Sequence, residues 1–345
     1  CYKKLSMSKK NSSVNLKNGF EEFEDLSNIF KNFKNKLNNL NKKSYIVAVS
    51  GGPDSLALVA LTRAYSFIKK TKFYYVLVDN NIRKNSFNEA MQVKKLLKNN
   101  KINLKVILNK KKITKNIQSV ARNTRYEILS NYCKRRKIKM LLTAHNLEDQ
   151  VETFFIRLSR GSGLKGLSSM KALSKLGNNV NLYRPLLDTK KKSLIKISKY
   201  TFGKYFKDPS NQNLKYLRTK VRNLKKPLET SGIEYEQIIK SINNLASSKA
   251  TLDEYFHKIF KDLIKKNKKI ISINFKKFIK HNKEVKIALI NESIKRLKNN
   301  YYNPRSKKVD NLIKNIEKRN FKKSTLGGCI FIVKKGNLCL KDEKT

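Results

Sequence analysis

"YIVAVSGGPDSLALVAL", residues 45–61, contains an apolar run, a break and a second apolar run of different period. The first run, 45–49, is short and nearly continuous, the pattern of a strand buried on both faces. After Pro53 the apolar residues return with helical spacing. In the break, Ser50-Gly51-Gly52-Pro53-Asp54-Ser55, the glycines remove Cβ atoms so that backbone N–H groups can approach an anion. Ser50 and Ser55 add hydroxyl donors, and the following helix points its positive end at the same spot. The stretch reads as a phosphate cradle, yet it lacks the lysine of the usual nucleotide loop. Asp54 stands out, because a carboxylate beside phosphates repels them unless a cation bridges the two. Mg²⁺ is the natural bridge. The plainer alternative is a strand–turn–helix corner with a capping Asp or Ser.

Working outward, short apolar runs at 73–78, 104–108 and 140–143 follow the first. Between and after them lie helical patterns near 54–70, 86–100, 117–137 and 147–160. Strands alternating with helices predict an α/β fold with a parallel, doubly wound, Rossmann-like sheet covered on both faces. Ligands of such sheets sit beyond the carboxyl ends of the strands. Ser50, Asp79 and His145 all fall there. Asp79 suits either nucleotide binding or a strand-end cap.

The alternation ends after "RGSGLKGL" (160–167). An apolar segment at 182–187, a helix near 190–202, the turn "DPSN" (208–211) and a basic helix near 214–225 come next. Helical spacing then dominates to residue 300, with one strand candidate at 270–275. The tail reads as a helix (305–319) and two short strands about "KKGN". The expected organisation is a disordered polar lead-in (1–19), an α/β domain (20–227), a mainly helical domain (228–300) and a small α+β module (301–345). A helix is also expected between 20 and 40.

The 345 residues carry 79 Lys and Arg against 25 Asp and Glu, a net charge of +54. An AT-rich genome inflates Lys and Asn, so the excess need not be selected. Its consequence holds either way: polyanions are drawn to the chain by counterion release and steering. Cys1, Cys133, Cys329 and Cys339 form no C-x-x-C pair, and with three histidines give no zinc or iron–sulfur spacing. A reducing compartment follows. No apolar run approaches a membrane span and no signal core is present, so the expected location is the cytoplasm, or an organelle stroma or matrix. The chain begins with Cys1 in place of Met, which suggests a fragment, and Met7 is an internal start.

A second informative element is "TAHNLEDQVETFFIRLSRGSGLKGLSSM" (143–170). His145 ends a strand, and Asp149 and Glu152 lie one helical turn apart on one face. Acids in a first helical turn also suit the macrodipole, so function and capping both remain open on spacing alone. Arg122 and Arg125 in "ARNTRYEIL" (121–129) suit a solvated helix face or an anion site. Arg218 and Arg222, one turn apart, suit either a phosphate grip or an arbitrary basic helix.

The loop at 50–55 resembles the signature of PP-loop ATP pyrophosphatases, which cleave ATP between the α and β phosphates and transfer AMP. With 143–170, "VDNNIR" (78–83), "YRPLL" (183–187), "DPSNQNLKYLRTKVRN" (208–223) and "PRSKKVDNLIKNIEKRNFKKSTLGGCIF" (304–331), the chain resembles the tRNA(Ile)-lysidine synthases. It departs from their pattern at Glu148, where that family usually has aspartate, and at Asn80 and Asn81.

The resemblance implies an adenine nucleotide α-hydrolase-like fold and a ligase that uses ATP and Mg²⁺. Free L-lysine is joined to the 2-position of the wobble cytidine of a tRNA(Ile) with a CAU anticodon. The cytidine is first adenylated, and AMP and pyrophosphate are released. ATP would meet Ser50, Gly51, Gly52, Pro53, Asp54, Ser55 and Asp79, with Asp54 also the Mg²⁺ partner. Asp54, His145, Asp149 and Glu152 would be catalytic, and Arg122, Arg218 and Arg222 would face tRNA or nucleotide phosphates. The helical domain would bind tRNA, no membrane is involved, and a homodimer is admitted. Two alternatives remain: a tRNA thiolase, which needs paired reactive cysteines or a cluster, and a non-catalytic basic RNA-binding protein with a decayed nucleotide fold.

Overall fold

The structure is a computed structural model that describes residues 20–343 apart from 84, 112, 178, 207–215, 268, 299–303 and 319. The expected lead-in at 1–19 and the turn at 208–211 lie outside the described residues. The chain divides into two compact units, one reaching to Asn244 and one from Leu245. No helix among the described residues is long and apolar enough to cross a membrane.

The first unit begins with α1 (Glu24–Leu40). Leu26, Phe30, Phe33 and Leu37 form its buried stripe, and Asn41 ends it in the left-handed region. Strand β1 (Ser44–Val49) leads through the glycine loop into α2 (Pro53–Ile68), and β2 (Lys72–Asp79) into α3 (Ser86–Asn99). Then come β3 (Leu104–Leu108), α4 (Ile117–Arg135), β4 (Met140–Leu142), α5 (Leu147–Leu158) and the single turn α6 (Leu164–Leu167). A hairpin, β5 (Leu173–Leu176) and β6 (Val180–Tyr183), is followed by α7 (Lys191–Phe202), α8 (Leu217–Asn223) and α9 (Lys225–Thr230). The six strands run in the order β3-β2-β1-β4-β6-β5. All neighbours are parallel except β5, which runs antiparallel to β6.

Alternation along β1 explains the two-sided core. Tyr45, Val47 and Val49 join the cluster formed with α1, α2, α3 and α7, while Ile46 joins Leu129 and Cys133 of α4 on the other face. Both clusters are needed because each strand has two apolar faces to cover. The winding reverses between β1 and β4, whose registered pairs are Ile46 with Leu141 and Val47 with Leu142. A crevice therefore opens beyond their carboxyl ends.

Helix α10 (Tyr235–Leu263) supplies residues to both units. The second unit continues with β7 (Ile264–Asn267), β8 (Ile270–Asn274), α11 (Phe275–Lys280), α12 (Lys283–Leu297), α13 (Ser306–Ile316), β9 (Lys323–Leu326), β10 (Cys329–Lys334) and β11 (Asn337–Asp342). Here the structure differs from the expected division near 227 and 300. β8 pairs antiparallel with β11, so residues on either side of 300 share one sheet, ordered β7-β8-β11-β10-β9. Ile271, Ile273, Phe331, Leu338 and Leu340 of that sheet pack with Leu289, Ile290 and Ile294 of α12 and Val309 and Leu312 of α13 in one core. Helical spacing alone gives no sign of such a long-range pairing.

Candidate active site

The loop after β1 is held by its own serines. Ser55 Oγ accepts from the Ser50 backbone N–H at 3.1 Å, lies 3.2 Å from Ser50 Oγ and donates to Gly52 O at 3.0 Å. Gly51 has φ +82°, and a Cβ there would stand 2.5 Å from Val93 Cγ2 on α3. Its glycine is thus required by backbone conformation and by packing, independently of any anion. Gly52 caps α2 and Pro53 occupies its first turn. The Phe206 backbone N–H, just beyond α7, donates to Gly51 O at 3.0 Å and fastens the loop from outside.

Asp54 follows in the first turn of α2. Its Oδ1 is buried with no hydrogen-bond partner. Burial pushes its carboxyl up to about 6, Lys191 opposes this and Asp149 adds to it, while the Asn146 side chain, within hydrogen-bonding reach, opposes it. An orphaned, desolvated carboxylate oxygen beside an anion cradle fits Mg²⁺. Among the described residues no group of three or more His, Cys, Asp and Glu side chains could hold a metal. Asp54 would hold the ion, together with phosphate oxygens and water.

Asp79 closes β2, next to β1, and is only 5 % exposed. Oδ1 accepts from the Asn81 N–H at 2.9 Å, which is a strand-end cap. Oδ2 is buried and has no partner. The cap thus uses one oxygen and leaves the other without a partner.

Across the crevice, β4 leads to Thr143, Ala144, His145 and the cap of α5. Asn146 Oδ1 accepts from the Asp149 N–H at 2.9 Å, and Asp149 Oδ2 accepts from the Asn146 N–H at 3.1 Å, a capping box. Asn146 therefore locks the start of α5 to Asp149. Residue-type reasoning passed over it, although its place three residues before an acid was a visible capping signal. Glu148 accepts the Lys191 backbone N–H at 2.8 Å and anchors the start of α7. Gln150 and Arg157 fasten 166–170 through Met170, Ser169 and Gly166.

Arg218 and Arg222 of α8 do not stand as an open phosphate grip. Arg218 Nη2 lies 2.5 Å from Asp149 Oδ1, and Arg218 Nε lies 2.6 Å from Glu152 Oε2. Arg222 Nε lies 2.7 Å from Glu152 Oε1. Buried carboxylates need such partners, and two arginines on successive turns supply them. The acid pair is also unequal: the Glu152 side chain is 3 % exposed and that of Asp149 18 %. Asp149 is thus the more accessible of the two acids.

His145 Nδ1 and Thr143 Oγ1 are 2.9 Å apart. Burial, reinforced by Arg122, Arg184, Arg218 and Arg125, holds its pKa well below the usual histidine value. The imidazole is neutral at pH 7 and a weak base. Arg184, missed among the lysines and arginines of the sequence, is 8 % exposed, and its Nε has no partner.

The remaining alternatives can be weighed at Cys133. It is fully buried in the α4 core, and burial pushes its thiol up to about 12. Such a thiol is inert and unlike a sulfur-transfer cysteine.

Residues 26–228 match the model of the PP-loop domain family. Over 288 residues the chain is 35 % identical to the tRNA(Ile)-lysidine synthase of Wolbachia pipientis wMel, covering 82 % of this chain and 67 % of that protein. It is 43 % identical over 184 residues to the enzyme of the same name from Orientia tsutsugamushi (strain Boryong), covering 53 % and 41 %. Among solved structures, a U34-tRNA thiolase from Methanococcus maripaludis aligns with a TM-score of 0.52 at 20 % identity, covering 64 % of this chain and 79 % of that one. That likeness is one of fold alone. With a PP-loop match over more than half its length and relatives of one name over most of it, the chain belongs to the tRNA(Ile)-lysidine synthases, PP-loop enzymes that use ATP in tRNA modification.

Proposed function

We propose that this chain joins free L-lysine to the 2-position of the wobble cytidine in a tRNA(Ile) with a CAU anticodon. A cytosine carbonyl oxygen is a poor leaving group, so the oxygen is first adenylated by ATP with release of pyrophosphate. The lysine amine then displaces AMP. The observation that carries the reading is the parallel β1–β4 pairing, which puts the phosphate loop with Asp54 after β1 and the Asn146–Asp149 cap after β4 at adjoining carboxyl ends. Nucleotide activation and amine attack are thus served from adjoining positions on one sheet edge.

Ser50 to Ser55 bind the β and γ phosphates that leave as pyrophosphate, and Asp79 Oδ2 takes a nucleoside hydroxyl or amine. Mg²⁺, held by Asp54 and the phosphates, would neutralise charge developing on them. Asp149 binds the incoming ammonium and accepts its proton. The need is real, since with a pKa near 10.4 only about one lysine in 10³ is neutral at pH 7. Glu152 fixes Arg218 and Arg222, and so holds α8 over the acid pair. His145, kept neutral, takes part through hydrogen bonding, and Arg122 supplies positive charge for an anion at the same edge. The test is incubation with ATP, labelled lysine and an isoleucine tRNA bearing CAU. ATP-dependent label in the tRNA is expected, whereas label that enters without ATP, or not at all, overturns the reading.

A further inference from the structure

Arg218 bridges the two acids of α5, with Nη2 at 2.5 Å from Asp149 Oδ1 and Nε at 2.6 Å from Glu152 Oε2. Arg222 grips Glu152 at both oxygens, Nε at 2.7 Å from Oε1 and Nη2 at 3.2 Å from Oε2. The two guanidiniums are therefore not equivalent. If Arg218 withdraws, the deeply buried Glu152 keeps Arg222 on both oxygens, and no enclosed carboxylate is stranded. Asp149 keeps Oδ2 in the capping box with the Asn146 N–H at 3.1 Å. Its Oδ1, for which Arg218 is the partner among the described residues, is released. Helix α8 need not move, since Thr219 and Val221 anchor it by burial, and the Arg218 side chain is about one-third exposed.

Charge says when such a withdrawal is favoured. Asp149 and Glu152 carry two negative charges, and Arg218 and Arg222 two positive ones. An ammonium arriving at Asp149 adds a positive charge beside the Arg218 guanidinium, where repulsion is weakly screened. A phosphate at the same edge adds negative charge and offers Arg218 a second partner suited to its planar fork. The β1–β4 pairing sets the loop after β1 and the cap of α5 after β4 at adjoining carboxyl ends. The surroundings of Arg218 also favour an anion. Burial holds Arg125 below its ordinary pKa, Tyr126 opposes this, and the charges of Arg122 and Arg218 add to it.

We infer that Arg218 is a positioning residue that keeps Asp149 closed to amines until a nucleotide phosphate draws the guanidinium away, so that nucleotide and amino acid bind with positive cooperativity. The inference rests on the ligation reading above and adds to it the order in which the site opens. Asp149 then meets the ammonium only when the activating nucleotide is in place.

The test measures labelled L-lysine by equilibrium dialysis against the whole chain, with and without Mg²⁺ and α,β-methylene-ATP, an analogue that resists cleavage at the α–β bond. In the unaltered protein the analogue should tighten lysine binding by about tenfold or more, and lysine should tighten the analogue by the same factor. In Arg218→Gln, lysine should bind the nucleotide-free protein more tightly than it binds the unaltered one. The coupling should fall toward one, and Arg218→Lys should restore part of it. A merely structural role for Arg218 gives the reverse, weaker lysine binding in both states, and that result overturns the inference. Equal lysine affinity with and without the analogue in the unaltered protein overturns it without needing any variant to fold. Coupling that survives in Arg218→Gln overturns it too. Lysine bound in neither state overturns the ligation reading, and the inference with it.

Discussion

At Asp54 a single residue carries a conflict between stability and function. Its pKa is pushed up to about 6 in the fold from an ordinary 3.8, because burial penalises the charged form. A raised carboxyl pKa means the folded state holds the proton more tightly than the unfolded state. This group therefore disfavours folding increasingly as pH rises from about 4 through 6, and the full cost is present above that. Asp54→Asn should stabilise the ligand-free protein at pH 8 by about 1–3 kcal/mol and have far less effect at pH 4, as thermal unfolding at both pH values would measure. The same variant should lose most ATP-dependent turnover. In the native protein Mg²⁺-dependent ATP binding should weaken as pH falls through 6, when the carboxylate is protonated. Asp149 predicts a different split: Asp149→Asn should abolish lysine transfer and leave pyrophosphate release from ATP and tRNA measurable. Unchanged lysine incorporation would remove the role assigned to it. The two roles come from two environments, one acid orphaned beside the phosphate loop and one engaged in a capping box and an ion pair.

The element that completes the site is α8, which the sequence marks only as basic. Its arginines meet α5 across more than sixty residues of chain, and the Glu152 carboxylate is enclosed by them. Breaking a buried pair from one side leaves an uncompensated charge, at a cost of about 3–5 kcal/mol in enclosed cases. With the arginines one-third exposed, Arg222→Ala should cost less, about 1–3 kcal/mol. It should also speed proteolytic cleavage within 217–223, which a timed digestion would show. Glu152→Leu combined with Arg222→Met should recover part of that loss, whereas additive effects in the double-mutant cycle would deny the coupling. At this scale the sequence was readable where signals are local. The alternation, the cap before α5 and the helix stripes all lie within a few residues of their cause. The hairpin β5–β6 and the strands β7 and β9 carry too few apolar residues in sequence to announce themselves. Their pairing partners define them.

For the whole molecule, charge is the dominant property. A net +54 draws nucleic acid irrespective of sequence. Affinity for tRNAs other than the substrate should therefore fall by about 10³-fold or more between 50 and 200 mM salt, if six or more phosphates are contacted. Filter binding with an unrelated tRNA across that range measures it, and a flat response would refute an electrostatic origin. The PP-loop match ends at residue 228, while the first compact unit reaches to Asn244. Leu147 and Val151 of α5 explain the difference, because they bury against Tyr235, Ile238 and Ile242 at the start of α10. Residues beyond the matched domain thus pack directly on the helix that carries Asp149 and Glu152. The second unit closes its own core around the β8–β11 pairing.

The alternation of short apolar runs with helical patterns determined the doubly wound sheet, and the opening stretch its glycine loop at the sheet edge, since strand period, helix period and glycine chemistry are properties of neighbouring residues. The residues at 143–170 likewise gave the acid pair and its helix. What only the tertiary structure decided is which charges meet. Arg218 and Arg222 face carboxylates in place of phosphate, Asp54 and Asp79 each keep a buried oxygen without a partner, and Arg184 stands beside His145. These facts follow from the β1–β4 reversal and the β4–β6 register, which bring together residues that no local pattern relates. In a chain with 79 basic residues, type and spacing cannot distinguish the few that are buried from the many that are solvated. Burial is what makes an unpaired charge or an orphaned oxygen costly, and burial is decided by packing.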